Sequence, residues 1–259
     1  MSASGFVHLQ AKGLIRGIAA LVVLASAVSM AAAQPKPTLE YVFDPAKDSL
    51  SKSGGIIDHS GNKYNGTELS GGLESSFVQG HLSTTFAVSL LGDDDTSAGG
   101  TGIDTGIDTA TVGIDGGAFT VVAWINRASY KQDNMVFGTT NNNAPDLHLG
   151  FRKGWAYVGF WGNDSGAYSA NLLGVNEWHH WAVRYDGTSK QEIFIDGVMI
   201  NSDPGHGPYS GSGVDLIVGH TYGNNGAFAG AIEHPRVYGG VALRDDQLAA
   251  DANDNPIPP

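Results

Sequence analysis

Residues 177–200, EWHHWAVRYDGTSKQEIFIDGVMI, constrain the fold of this chain more than any other stretch. Trp178, His180, Ala182 and Arg184 alternate with His179, Trp181, Val183 and Tyr185. That period of two belongs to a strand with two different faces. Asp186-Gly187-Thr188 follows, and these residues tolerate turn geometry. Gln191 to Ile195 resumes the alternation, with Ile193 and Ile195 on one face and Glu192 and Phe194 on the other. Asp196-Gly197 then marks a tight hairpin, because both residues accept φ > 0. Val198-Met199-Ile200 returns. The pattern demands antiparallel sheet, with Ile193 and Ile195 expected to be buried, together with Ala182.

The N-terminus has a different character. Lys12 and Arg16 precede an apolar run from Gly17 to Val28, and Ala31-Ala32-Ala33 supplies small residues in a cleavage pattern. The run is short for a bilayer span. Residues 1–33 therefore read as a secretory signal peptide, with a membrane anchor as the alternative. Export places the mature chain outside the cell or in a periplasm. Removing 33 of 259 residues leaves 226, enough for one β domain with a sizeable core. The whole chain carries −12, and loss of Lys12 and Arg16 makes it −14. Such a surface repels nucleic acid and anionic membranes. It also favours a neutral ligand, unless a local basic patch or a cation intervenes. Cys is absent, so no disulfide staples the domain, and a calcium ion held by acidic side chains is the other staple to expect.

Further strands are expected where Leu39, Tyr41 and Phe43 alternate, where Phe86, Val88 and Leu90 do, and over Val214 to Val218. Asp58-His59-Ser60-Gly61-Asn62 reads either as an Asx-turn or as a calcium loop. It is no EF-hand, since the twelfth position is Leu69 rather than Glu. Gly92 to Gly117, with Asp93-Asp94-Asp95 and three Gly-Ile-Asp copies, is expected as a long rim loop or weak strand. Its triple Asp is either a solvated run or a second cation site. Asp203 to Gly213 and Gly219 to Gly226 are expected as rim loops, Leu243 to Ala250 as a short helix, and residues 252–259 as a disordered tail.

Asp146 to Trp161 carries the candidate binding site. Leu147, Leu149 and Phe151, then Ala156, Val158 and Phe160, suit a core face; Arg152-Lys153-Gly154 is a turn. The opposite face carries His148, Arg152, Trp155, Tyr157 and Trp161. Those positions should be polar on a sheet with one solvated face. Either the second sheet or a loop covers the aromatics, or they form a platform for sugar rings. An aromatic face attracts the weakly positive C–H groups of a pyranose.

Four stretches carry a family resemblance: IIDHSGNKYNGTE (56–68), FTVVAWINR (119–127), the 177–200 hairpin with its W-x-H-x-A-x-x-Y-D-G and x-I-x-I-D-G, and FAGAIEHPRVYGGVALRDDQLAAD (228–251). In this order they resemble laminin-G-like domains, a branch of the concanavalin A-like jelly rolls. The resemblance spans residues 38–251 and implies an all-β, two-sheet antiparallel jelly-roll sandwich over residues 34–251. It also implies a buried, hydrogen-bonded role for His180. The calcium-bearing relatives have an Asp just before V-R-V-Y; here Glu233 stands there. The implied structural Ca²⁺ would be held by Glu233, helped by Asp44 or Asp58.

The fold hosts lectins, adhesins, hydrolases and lyases. The Glu-x-Asp-x-x-Glu strand of the β-glucan hydrolases is broken here, since Glu192 and Asp196 are separated by Phe194 and Asp196 serves a turn. The expected function is a secreted, lectin-like module for a neutral glycan, with a polysaccharide as partner. Its ligand-binding residues are His148, Arg152, Trp155, Tyr157 and Trp161. The alternatives are a polysaccharide lyase or glycoside hydrolase, with His148, Arg152 and Tyr157 as the catalytic set of a lyase, and an adhesion or matrix domain.

Overall fold

The hairpin of residues 177–200 forms as expected and lies in the larger of two sheets. A computed structural model describes residues 33–69, 75–92, 99–130, 132–139, 146–166, 173–211, 213–221 and 226–259. Residues 1–32, Asp93-Asp94-Asp95 and residues 222–225 of the second rim loop lie outside the described residues. Strands are numbered along the chain. In spatial order the first sheet runs β13 (Val198–Asp203), β12 (Gln191–Ile195), β11 (Trp178–Tyr185), β6 (Phe119–Arg127), β15 (Gly230–Gly239), β4 (Phe86–Leu90) and β3 (Ser76–Gln79). An eighth strand, β1 (Leu39–Glu40), pairs with β15 beyond the reach of β4. The second sheet runs β10 (Ser165–Gly166), β9 (Trp155–Phe160), β8 (Leu147–Arg152), β7 (Asn134–Thr139), β14 (Asp215–Val218), β5 (Gly102–Asp108) and β2 (Thr67–Leu69). All of these pairings are antiparallel.

Turn chemistry fixes the hairpin. Asp196 and Gly197 sit at φ of 51° and 75°, the sign a tight β-turn of this kind requires. Asp186 closes the preceding turn by accepting the backbone N–H groups of Thr188, Ser189 and Lys190. In β15 the sequence His234-Pro235 coincides with a register shift, where a residue without an N–H costs no ladder bond.

The alternation then divides the buried residues into two layers. Val121, Ala123, Ile125, Trp181, Val183, Ile193 and Ile195 face Leu147, Leu149, Phe151, Val158 and Phe160 of the second sheet in the main core. Ala182 is buried as expected, but in a different layer. It pairs with Phe194 and lies on the opposite face of the first sheet, in a second cluster with Val122, Tyr238, Leu243 and Leu248. The reason is the pleat: Ala182 has the parity of Phe194, not of Ile193.

Helix α1 (Asp245–Asp251) covers that second face. Residues 252–259 follow it and are not a loose tail. Gln247 Nε2 donates to the carbonyl of Pro258, Arg244 donates to that of Pro259, and Ile257 packs against the second cluster. Polar composition suggested disorder, but Ile257 supplies an apolar anchor and the helix supplies donors. Gly102–Asp108, expected as a loop or weak strand, is a paired inner strand of the second sheet between β14 and β2.

Candidate functional site: a cleft beside the β8–β9 turn

Leu147, Leu149 and Phe151 of β8 and Ala156, Val158 and Phe160 of β9 point into the core. The pleat therefore turns His148, Gly150 and Arg152, and Trp155, Tyr157 and Gly159, to the outer face. Across the two strands His148 pairs with Gly159, Gly150 with Tyr157, and Arg152 with Trp155. A Cβ on Gly159 would meet the Tyr157 ring at 2.7 Å and its hydroxyl at 3.0 Å. Gly159 thus leaves room for the tyrosine to lie along the sheet. The Arg152 guanidinium covers that ring from above, 4.1 Å from its centroid.

The covering decides which aromatics a ligand can reach. Tyr157 is only 5% exposed, whereas Trp155 is 46% and Trp161 60% exposed. Trp155 begins β9 and Trp161 follows its end, about 20 Å away at ~3.3 Å per residue. The five expected binding residues therefore do not form one continuous platform. Arg152, Trp155 and Tyr157 converge at the turn, His148 lies partly buried further along, and Trp161 stands apart.

At the turn they line a cleft of about 570 Å³ with Tyr130, Asp133 and Lys153. Tyr130, 46% exposed, adds a second accessible aromatic that the strand pattern of residues 146–161 does not contain. Asp133 accepts the backbone N–H of Lys153 at 3.2 Å and stands 3.9 Å from Arg152 Nε. Behind the turn, Arg127 donates to the Lys153 carbonyl at 3.1 Å and stacks on Phe151. Burial lowers the Arg127 pKa to about 10, so it remains a cation at neutral pH. Tyr130, Asp133 and Arg127 were missed by sequence reasoning. They follow β6 or end it, and only the fold brings them to the β8–β9 turn; the one sequence signal was an Arg closing an otherwise buried strand.

Burial, then the Arg152 charge, pushes the His148 pKa down to about 4. The imidazole is therefore neutral over the physiological range. His148, Arg152 and Tyr157, the residues of the lyase alternative, do share one face, with Tyr157 enclosed by Arg152. The carboxylates of the hydrolase string are engaged elsewhere. Glu192 pairs with Arg184 at 2.6 Å, and Asp196 accepts the His180 N–H at 2.9 Å.

The residues expected to hold calcium are dispersed among other partners. Asp58 accepts backbone N–H groups of Glu40, Ser60 and Tyr64 and the Ser60 hydroxyl, which is the Asx-turn reading. Asp44 caps Ala46 and pairs with Lys47. Glu233 Oε2 takes both the backbone N–H and the ring Nδ1 of His81, at 2.6 and 2.8 Å. Asp44 and Glu233 do line one cleft of about 250 Å³. Among the described residues no three His, Cys, Asp or Glu side chains converge as a metal site. Ca²⁺ takes six to eight oxygens, so this set does not fit it as arranged. His180 is buried, its Nε2 2.9 Å from Asp251 Oδ2.

Two antiparallel sheets packed face to face, closed by long crossovers, define a jelly-roll β-sandwich. The chain belongs to the concanavalin A-like lectin/glucanases superfamily, whose laminin G type model matches residues 99–249. No curated protein matches the chain. Among solved structures it is similar to domain 4 of AbnA, an extracellular arabinanase from Geobacillus stearothermophilus, in complex with arabinotriose. That likeness has a TM-score of 0.63 at 20% identity and covers 85% of this chain and 99% of the other. The binding domain of Paraclostridial Mosquitocidal Protein 1 follows, with a TM-score of 0.56 at 14% identity, covering 85% of this chain and 52% of that one. A botulinum neurotoxin DC binding domain in complex with rat synaptotagmin II is similar at 0.56 and 15%, covering 85% and 51%. The chain thus spans about half the length of the toxin binding domains. At these identities the likeness is one of fold.

Proposed function

We propose that this protein is an exported carbohydrate-binding module whose ligand site is the cleft beside the β8–β9 turn. One observation carries the reading: two half-exposed aromatics, Trp155 and Tyr130, border a cleft of about 570 Å³ on an otherwise well-formed sandwich. Ligand pockets commonly measure about 300–1,000 Å³ and mix aromatic walls with a few polar groups. A sugar ring stacks on the indole, and Asp133, Arg152 and Lys153 supply hydrogen bonds to its hydroxyls. The arabinanase domain solved with arabinotriose, nearly all of which this chain covers, supports the choice of ligand class. The apolar leader with Ala31-Ala32-Ala33 supports export. Net charge alone favours a neutral polymer, but the lining of the cleft, with Arg152 and Lys153, departs locally from that average.

The test is a glycan array probed with the chain lacking residues 1–33, with product detection on the same polysaccharides. Binding without products is expected. New reducing ends would make the protein a hydrolase, products absorbing in the ultraviolet a lyase, and absence of binding to any glycan would remove the proposal.

A further inference from the structure

We infer that the cleft selects sugars bearing a carboxylate, so that its ligand is an acidic, uronate-containing glycan rather than a neutral one. This rests on the glycan-binding reading of the same cleft and adds the charge of the ligand to it. The lining of the cleft carries two cations, Arg152 and Lys153, against one carboxylate, Asp133. The chain as a whole has 14 Lys and Arg against 26 Asp and Glu, so the cleft departs from the average in sign. The second cleft follows the average, being lined by Asp44, Glu233 and His234.

The two cations are differently placed, and the difference assigns their roles. The Arg152 guanidinium lies over the Tyr157 ring, its Cζ 4.1 Å from the centroid, with its Nε 3.9 Å from Asp133. That separation exceeds a hydrogen bond, and the guanidinium keeps donors for a ligand. An oriented planar fork suits a carboxylate, which it can bind through two N–H groups. Lys153 is exposed at the tip of the turn and makes no salt bridge among the described residues. Its φ of 54° lies in the left-handed region, where glycine would sit with less strain. Behind both, the buried Arg127 adds a further positive charge beneath the Lys153 carbonyl. A pyranose stacked on Trp155 would bring its ring substituents toward Arg152, which is the cross-strand partner of Trp155. The substituent that gains most there is a carboxylate. The net negative charge of the surface keeps polyanions from binding elsewhere.

The experiment compares binding of the chain from residue 34 to polygalacturonate, alginate and hyaluronan with binding to their carboxyl-reduced forms. Reduction replaces each carboxylate by a hydroxymethyl group and leaves the ring faces for stacking. At least one acidic polymer is expected to bind about tenfold more tightly than its reduced form. Arg152→Gln should bring that ratio close to one. Because Arg152 also covers Tyr157, Lys153→Gly serves as the second variant. It relieves turn strain and should lower the ratio about threefold without loss of stability. Raising salt to ~1 M, where screening acts over ~3 Å, should shrink the preference. Equal binding of acidic and reduced polymers, a preference indifferent to both substitutions, or binding of neutral polymers alone would overturn the inference and leave the glycan reading standing. Binding of no polymer, acidic or neutral, would defeat the glycan reading and this inference with it.

Discussion

At the scale of single residues, titration separates the groups that hold the fold from those that face solvent. His148 has its pKa lowered to about 4 by burial and by Arg152. The ordinary histidine value is near 6.5, so the unfolded chain takes up a proton between those values and the folded chain does not. His148 therefore costs stability as pH falls from about 6.5 to about 4. Asp146 opposes it, since burial raises its carboxyl to about 6 and the folded state takes up that proton first. The comparison that isolates His148 is thus wild type against His148→Gln by thermal melting. The variant should lose less stability than wild type between pH 6.5 and 4; parallel profiles would contradict the burial of the ring. Asp251 has the opposite slope to Asp146. Burial pushes its carboxyl up, but the His180 and Arg236 contacts outweigh that and hold it below the usual range. The stability it contributes is complete above its unfolded value, about 3.9, and is lost as pH falls below it. Asp251→Asn leaves Arg236 buried without its counter-charge and should cost about 3–5 kcal/mol at neutral pH by chemical denaturation.

At the scale of elements, the two faces of the first sheet are separate contributors. Ile195 lies in the inner core and is 7% exposed. Ile195→Ala should cost about 2–5 kcal/mol, and a loss below about 0.5 kcal/mol would mean the strand faces are reversed. The outer face depends on the C-terminal helix and the segment after it. Removing residues 252–259 exposes the second cluster around Ile257 and should lower stability by about 1–2 kcal/mol, with an unchanged transition contradicting the docking. The hairpin was legible because its signals are local: a period of two, an Asx-turn at Asp186, and Asp-Gly at Asp196-Gly197. The jelly roll was legible from four such stretches in order. The docked tail was not, because Ile257 is one apolar residue among polar ones and the cluster it packs against is gathered by the fold from as far back as Val122 and Ala182. The site was half legible. Alternation placed Arg152, Trp155 and Tyr157 on one face, yet it could not show that Arg152 covers Tyr157, nor that Tyr130 and Asp133 arrive from the β6–β7 connection. Trp161 shares their parity on paper, but strand length separates it from them.

At the scale of the whole molecule, the chain is a concanavalin A-like sandwich, and the proposed ligand site lies at one end of its second sheet. The carboxylates expected to hold calcium, Asp44, Asp58 and Glu233, are engaged by protein donors, as Glu233 is by His81. Melting curves recorded with chelator and with millimolar calcium should therefore coincide. A metal that bound only the folded state would separate them by about 2.7 kcal/mol at a hundredfold excess over its dissociation constant. The central claim is the cleft, and Trp155→Ala tests it most directly. The indole is nearly half exposed, so its loss should move the melting temperature by no more than about 2 °C. On the polysaccharide that wild type binds, the same substitution should weaken affinity about tenfold or more, as loss of an aromatic anchor does. A stably folded Trp155→Ala variant that binds every glycan as tightly as wild type would contradict the account.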